Sequence, residues 1–410
     1  MSVATLPARQ QARVIGSDAE ALAVAQRLAV RLSEGASARD IARTVPFEPL
    51  EWLSEAGLFG ITVPREHGGA DVSYETLARV FQILSAADAA IGQLPQNHFV
   101  FVEALRLDGS DAQKQFFFAE LLQGARLGNA QAERGGASAL DLRTRVAADA
   151  HGALRLNGTK YYCTGALTAH WIPVAALDEH DRLVLVYVPR HAAGVTAEAD
   201  WNAMGQRTTY SGTVRLDNVA VDPSQVVEHW RLFDRPSLFH SLATLLHAAI
   251  DVGIAENALS EGVELLRRRQ RPRLGAGVAD PHEDPLLLHR LGQLSARFHA
   301  AEALLLRAAG RLDEAKPVLT AANTAVAAVE VGEAKAFAEE VSLAVASELF
   351  ALLGSAATDE QLNFNRHWRN ARTHTVHDAN QWRYHASGNF LLNGRAPGKP
   401  VRRPDPVPTG

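Results

Sequence analysis

Two stretches in which apolar residues recur every three or four positions flank one stretch in which they alternate or run together. This helix, strand, helix order constrains the fold of the 410-residue chain more than any other feature. Residues 17–125 read as helices. Ser17-Asp18 caps a segment whose Ala, Val and Leu keep helical spacing through Leu32. Leu50–Leu58 is a short helix ended by glycine, and Gly60-Ile61-Thr62-Val63-Pro64 reads as an extended exit before the Gly68-Gly69 turn. Ser73–Asp88, Val100–Arg106 and Ala112–Leu122 are the remaining helices of this part. From Leu127 to Val221 the texture is that of strands. Leu154-Arg155-Leu156 alternates, Asn157-Gly158 reads as a hairpin turn, and Leu183–Val188 and Gly212–Leu216 are further strands of an antiparallel sandwich or barrel. Leu242–Arg269, Pro285–Leu312 and Leu319–Leu353 return to long helices with broad apolar faces, as in a four-helix bundle.

The expected fold class is therefore α+β. An N-terminal helical domain covers 1–124, a central antiparallel β domain 125–235, a C-terminal helical bundle 236–394 and a flexible tail 395–410. A net charge of -5 argues against a broad nucleic-acid footprint. The single Cys163 allows no intrachain disulfide and suits a reducing cytoplasm. The first 40 residues lack the layout of a secretory leader, and no run approaches the roughly 18–20 apolar residues that span a bilayer, so no membrane partner is expected.

Several motifs then narrow the reading. Gly57-Leu58-Phe59-Gly60-Ile61-Thr62-Val63-Pro64 with Gly68-Gly69, Leu156-Asn157-Gly158-Thr159-Lys160-Tyr161-Tyr162-Cys163-Thr164-Gly165-Ala166, and Met204-Gly205-Gln206-Arg207-Thr208-Thr209 follow in this order. Together they resemble the acyl-CoA dehydrogenase superfamily over residues 17–394. Trp368-Arg369-Asn370-Ala371-Arg372-Thr373-His374-Thr375-Val376-His377-Asp378, Gly128-Asn129-Ala130 and Ile91-Gly92-Gln93-Leu94-Pro95-Gln96-Asn97-His98-Phe99 are similar to its flavin-dependent monooxygenase branch. That branch holds the dibenzothiophene monooxygenases and the sulfur-acquisition oxidoreductases.

Two departures separate the chain from ordinary dehydrogenases. Where those carry Tyr-Glu-Gly, this chain has His377-Asp378-Ala379. One methylene moves a carboxylate by about 1.5 Å, enough to cost a proton-abstracting base about 100-fold. The Gln and second Gly expected around Ala351-Leu352-Leu353-Gly354-Ser355-Ala356 are missing, which favours FMN over FAD as cofactor, with FAD still possible.

The resemblance implies a two-component monooxygenase that transfers oxygen from a flavin hydroperoxide to a small organosulfur substrate. A separate flavin reductase would supply the reduced FMN, and the enzyme would be a homotetramer. Its expected catalytic residues are His98, His377, Asn129 and Thr164. The flavin contacts are Asn129, Tyr162, Thr164, Trp201, Arg269, Arg271 and His374. Tyr162 and Trp201 suit an aromatic wall, the arginines a phosphate, and an imidazole proton transfer near neutrality. Glu133 sits where the family has a Glu, although Ala132 and Arg134 flank it. His374 and His377, three apart, are expected to share one face; no third metal ligand is evident, and no metal is expected. An FAD-dependent acyl-CoA dehydrogenase using Asp378 as base, and a non-catalytic scaffold of the same fold, are the alternatives.

Overall fold

The computed structural model describes residues 12–136 and 141–398. Six of the twelve α-helices among these residues start where a short polar side chain takes up a free backbone N–H of the first turn. Ser17 accepts from Glu20 N at the head of α1 (Asp18–Glu34). Helices α2 (Ala36–Ala42) and α3 (Phe47–Glu55) follow. The chain then takes a 3-10 turn over Leu58–Gly60 and turns and bends over 61–63, where an extended exit over Gly60–Pro64 was expected. Ser73 caps α4 (Tyr74–Ala87), Asp88 caps α5 (Ala89–Gln93), α6 is Gln96–Asp108, and a Ser110/Gln113 capping box opens α7 (Asp111–Leu122).

The middle of the chain forms one seven-stranded sheet, not a pair of sheets. Its strands are β1 (Arg145–Ala148), β2 (Leu154–Lys160), β3 (Trp171–Leu177), β4 (Leu183–Pro189), β5 (Val195–Ala197), β6 (Val214–Val221) and β7 (Val226–Val227), in the order β5-β6-β2-β1-β3-β4-β7. All neighbours are antiparallel except β1 and β3, which meet in parallel through Arg145 and Leu177. The sheet is therefore mixed, where a purely antiparallel one was expected.

Asn157-Gly158 is not a hairpin turn. It lies inside β2, where the register against β6 slips between Leu156 and Gly158, and the turn into β2 is made by residues 149–153. A Cβ on Gly158 would meet the Thr144 hydroxyl at 2.2 Å, so a bulge with no side chain lets β2 pass this point. The apolar run in β4 arises because both faces are covered. Leu185 and Tyr187 join the core shared with the helices, while Val184, Val186 and Val188 pack with Leu156, Ile172, Val174 and Val214 in a second core.

Four further long helices complete the chain: α8 (Phe239–Arg267), α9 (Pro285–Ala315), α10 (Ala321–Leu353) and α12 (Gln381–Asn393), with α11 (Arg366–Thr375) wedged against α8 and α10. Contrary to the sequence expectation, α8 is long and apolar enough to cross a membrane by length and composition. Its surroundings explain the apolarity: 72% of that stretch is buried, against α4, α9 and α10. Most of the tail expected beyond 394 lies outside the described residues.

Candidate functional site

Where the sheet meets α6 and α11, polar side chains link elements far apart in sequence. Residues 127–130 run along β3, with Gly128 N donating to Trp171 O and Ala175 N to Ala130 O. Gly128 makes this approach possible, since a Cβ there would lie 2.7 Å from Cα of Ala166. The next side chain, Asn129, donates to the Tyr162 carbonyl at 3.2 Å and accepts from Gln131 Nε2 at 3.0 Å; Gln131 also donates to Asn97 Oδ1 at 3.2 Å on α6. Tyr162 adopts a left-handed backbone (φ 57), is 52% exposed as a residue and meets Trp201 edge-on at 6.4 Å. Thr164 shares a 2.7 Å hydrogen bond with Ser211, which shares one of 2.8 Å with Thr209; Thr209 donates to the Gln206 carbonyl, and so does Trp201 Nε1. Gln206 N in turn donates to Asn370 Oδ1 on α11 at 2.7 Å.

Thus Asn129, Tyr162, Thr164 and Trp201 do come together, on a wall tied to α11. Neither Ser211, Gln131 nor Asn370, which hold that wall in place, was singled out from the sequence. Gly205 → Ala is expected to break the tie, because the added Cβ would lie 1.9 Å from the Arg369 carbonyl oxygen. A loss of about 1–3 kcal/mol in urea-unfolding free energy is the expected result.

The structure corrects the placement of His98. It is buried, Nε2 lies 2.8 Å from the Phe59 carbonyl, and Nδ1 accepts from Leu127 N at 3.1 Å. The backbone partners fix a neutral, Nε2-protonated ring, and neither nitrogen is left for a reacting group. Burial pushes its pKa down to about 4. Since the folded state resists protonation, stability is full above the unfolded value of about 6.5 and falls as the pH drops toward 4, by about 3 kcal/mol in all. His98 → Leu should cost about 2–4 kcal/mol at neutral pH by stranding two buried backbone groups, and should flatten this acid limb in urea titrations at several pH values.

His374 is also misplaced by the sequence reading. Its side chain is fully buried; Nδ1 lies 2.6 Å from Asp251 Oδ1 and Nε2 lies 2.9 Å from His247 Nδ1, both on α8. With both nitrogens engaged inside the bundle, it is no direct cofactor contact within this chain. Asp251 also accepts from Lys335 Nζ at 2.8 Å, and Lys335 reaches Glu339 at 3.2 Å. Burial alone would raise the Asp251 pKa, but its interactions with His374 and Lys335, including a hydrogen bond from each, hold it below the ordinary value. His377 lies beyond the end of α11, in the turn where its N–H donates to the His374 carbonyl, and both rings meet His247, as their spacing led us to expect. Its ring is 59% exposed and stacks on His247 at 4.5 Å and 30°. Among the described residues, no group of three or more His, Cys, Asp or Glu is placed to hold a metal ion.

Arg269 and the unforeseen Arg273 donate to carbonyls at the end of α10, Arg269 to Leu352 at 3.4 Å and Arg273 to Ala351 and Leu352. They face the negative end of that helix. Arg271 is exposed on the segment between α8 and α9. Glu133 is occupied by Lys160 Nζ at 2.7 Å and by the N–H groups of Arg143 and Thr144. Burial would raise its pKa, yet the Lys160 bond and these donors bring it down to about 2.

Residues 21–125, 130–219 and 245–382 match the N-terminal, middle and C-terminal domains of acyl-CoA dehydrogenase. The dibenzothiophene monooxygenase of Rhodococcus erythropolis is 31% identical over 397 residues, covering 93% of this chain and 95% of that protein. The chain belongs to the acyl-CoA dehydrogenase family, in its monooxygenase branch.

A probable FMNH2-dependent monooxygenase, SfnC of Pseudomonas putida, is 30% identical, with 92% of this chain and 96% of that one covered. The FMN-bound crystal structure of TdsC from Paenibacillus sp. A11-2 superposes with a TM-score of 0.87 at 30% identity, over 92% of this chain and 98% of that one. Within this acyl-CoA dehydrogenase-family chain, Asp378 is bound on one side by Arg383 and lies 3.5 Å from His377 Nδ1. The bond to His377, with Arg383 beside it, holds Asp378 far below the usual carboxylate range despite burial. A carboxylate so strongly held is a weak base, which counts against the dehydrogenase alternative.

Proposed function

We propose that the chain is a two-component monooxygenase that takes reduced FMN from a separate reductase and transfers one oxygen atom to a small organosulfur compound. The observation that carries the reading is the continuous tie from the Asn129–Thr164–Trp201 wall through Gln206 and Asn370 to the helix that ends in the histidine cluster.

The residues fit a flavin. Exposed Tyr162 and half-buried Trp201 offer an apolar surface for a flat ring, and Asn129, Thr164 and Ser211 offer hydrogen-bonding groups for its polar edge. Arg269 and Arg271 are the candidates for the phosphate. Reduced FMN, when bound, supplies the electrons that activate dioxygen. Asn129 and Thr164 would orient the groups around it, His377 would supply or hold a proton, and the apolar walls would exclude water. FMN in the TdsC crystal structure and the names of the two monooxygenase relatives support this choice of cofactor and substrate class. A homotetramer in the cytoplasm completes the proposal.

Titration of purified protein with FMN and FAD, followed by dioxygen uptake with reduced FMN and a panel of sulfides and sulfones, tests it. Tighter FMN binding and oxygenated sulfur product are expected. Bleaching of a bound yellow cofactor by an acyl-CoA would overturn it.

A further inference from the structure

We infer that Asp251, His374 and His247 form a proton relay ending at Nε2 of His247, beside His377, which makes His247 a proton-bearing residue of this site. The inference deepens the monooxygenase reading and rests on it only for the reaction that uses the proton.

The geometry is a series of two imidazoles behind one carboxylate, with links of 2.6 Å and 2.9 Å. Ionised Asp251, fixed by Lys335, accepts from Nδ1–H of His374. In the neutral ring the Nε2 lone pair of His374 accepts from Nδ1–H of His247, which leaves Nε2 of His247 as a free base. Burying a second imidazole costs free energy, and a single histidine would satisfy Asp251.

The groups packed around His247 explain why the chain needs a second member. From α11 comes His374, from the residues after it His377, from α10 Lys335 and from α12 Arg383; behind them stand Asp251 and Glu339 on Lys335, Arg372 beside Glu339, and Asp378 on Arg383 and His377. Burial first, and then the neighbouring His377, His374, Lys335 and Arg383, disfavour a positive charge on His247. When a proton arrives at Nε2 of His247, the Nδ1 proton passes to Nε2 of His374. The positive charge then comes to rest against the Asp251 carboxylate. One proton enters and one bond shifts, with no change of oxidation state; the reverse sequence delivers a proton. Asp251 and His374 act through His247 and are positioning residues.

The test begins without flavin. Long-range proton–nitrogen NMR on histidine-labelled protein at neutral pH should find both His374 and His247 protonated on Nδ1 and bare on Nε2. A proton on Nε2 of His247 with Nδ1 bare would overturn the relay, whatever the enzyme's reaction. Asp251 → Asn, whose amide can donate to His374, should invert both tautomers. With reduced FMN and substrate it should lower turnover on the order of 100-fold and displace a limb of the pH profile. An unchanged pH profile in a variant with native circular dichroism would also overturn the relay. If Asp251 → Asn fails to fold, the wild-type spectra still decide. Matching spectra in a protein that oxygenates no sulfur compound would leave the relay standing and remove the monooxygenase reading.

Discussion

Lys335 → Met is expected to destabilise the protein by about 3–5 kcal/mol, the largest stability effect of any substitution considered. Lys335 is almost fully buried and its ammonium is the cationic partner of both Asp251 and Glu339. Removing it leaves two carboxylates in the bundle interior without the cation they share, with only the His374 hydrogen bond left to Asp251. The cost is that of stranding a buried charge, and is larger than the net contribution of the intact pair. Adding Asp251 → Leu to the same chain should recover part of the loss. Urea denaturation with an unchanged slope checks the first claim, and a double variant no more stable than Lys335 → Met would contradict the explanation.

His377 → Ala is expected to lower product formation by about 100- to 10,000-fold while changing FMN affinity no more than a few-fold. The ring is exposed on the side of His247 and supports no core packing, so the fold should survive the truncation. Asp378 → Asn is the matched control. A dehydrogenase base at this position would lose all activity, whereas a residue that only holds Arg383 and His377 should lose little. Stopped-flow measurement of product, together with equilibrium titration of FMN, separates the two. Unchanged turnover in His377 → Ala would refute its assignment.

The helices were legible because their signals are local. Ser17, Ser73 and Ser110 each cap a helix within three residues of themselves, and the apolar spacing of α8 to α10 follows from what covers them. The same local reading failed at Asn157-Gly158. The dipeptide signals a turn, but what it meets is Thr144, on a neighbouring segment that no local pattern names. His98 was misread for a similar reason: its partners at Phe59 and Leu127 are distant in sequence. The spacing of His374 and His377 promised a common face, and although α11 ends at Thr375, between them, both rings meet His247. His247 and Asp251 could have been found. They are the only ionisable side chains between Leu242 and Gly253, one helical turn apart in an otherwise apolar run. Two such groups in a core helix are expected to have found partners.

The packing of α8 bears on how the protein can be divided. One helix packs against α4 as well as α9 and α10, so the two helical regions that flank the sheet in sequence share a single interior. Cutting the polypeptide at either end of the sheet would not release autonomous modules; each piece would carry a raw oily surface that only the other can hide. Gene segments encoding these regions are therefore poor candidates for shuffling between relatives unless both travel together.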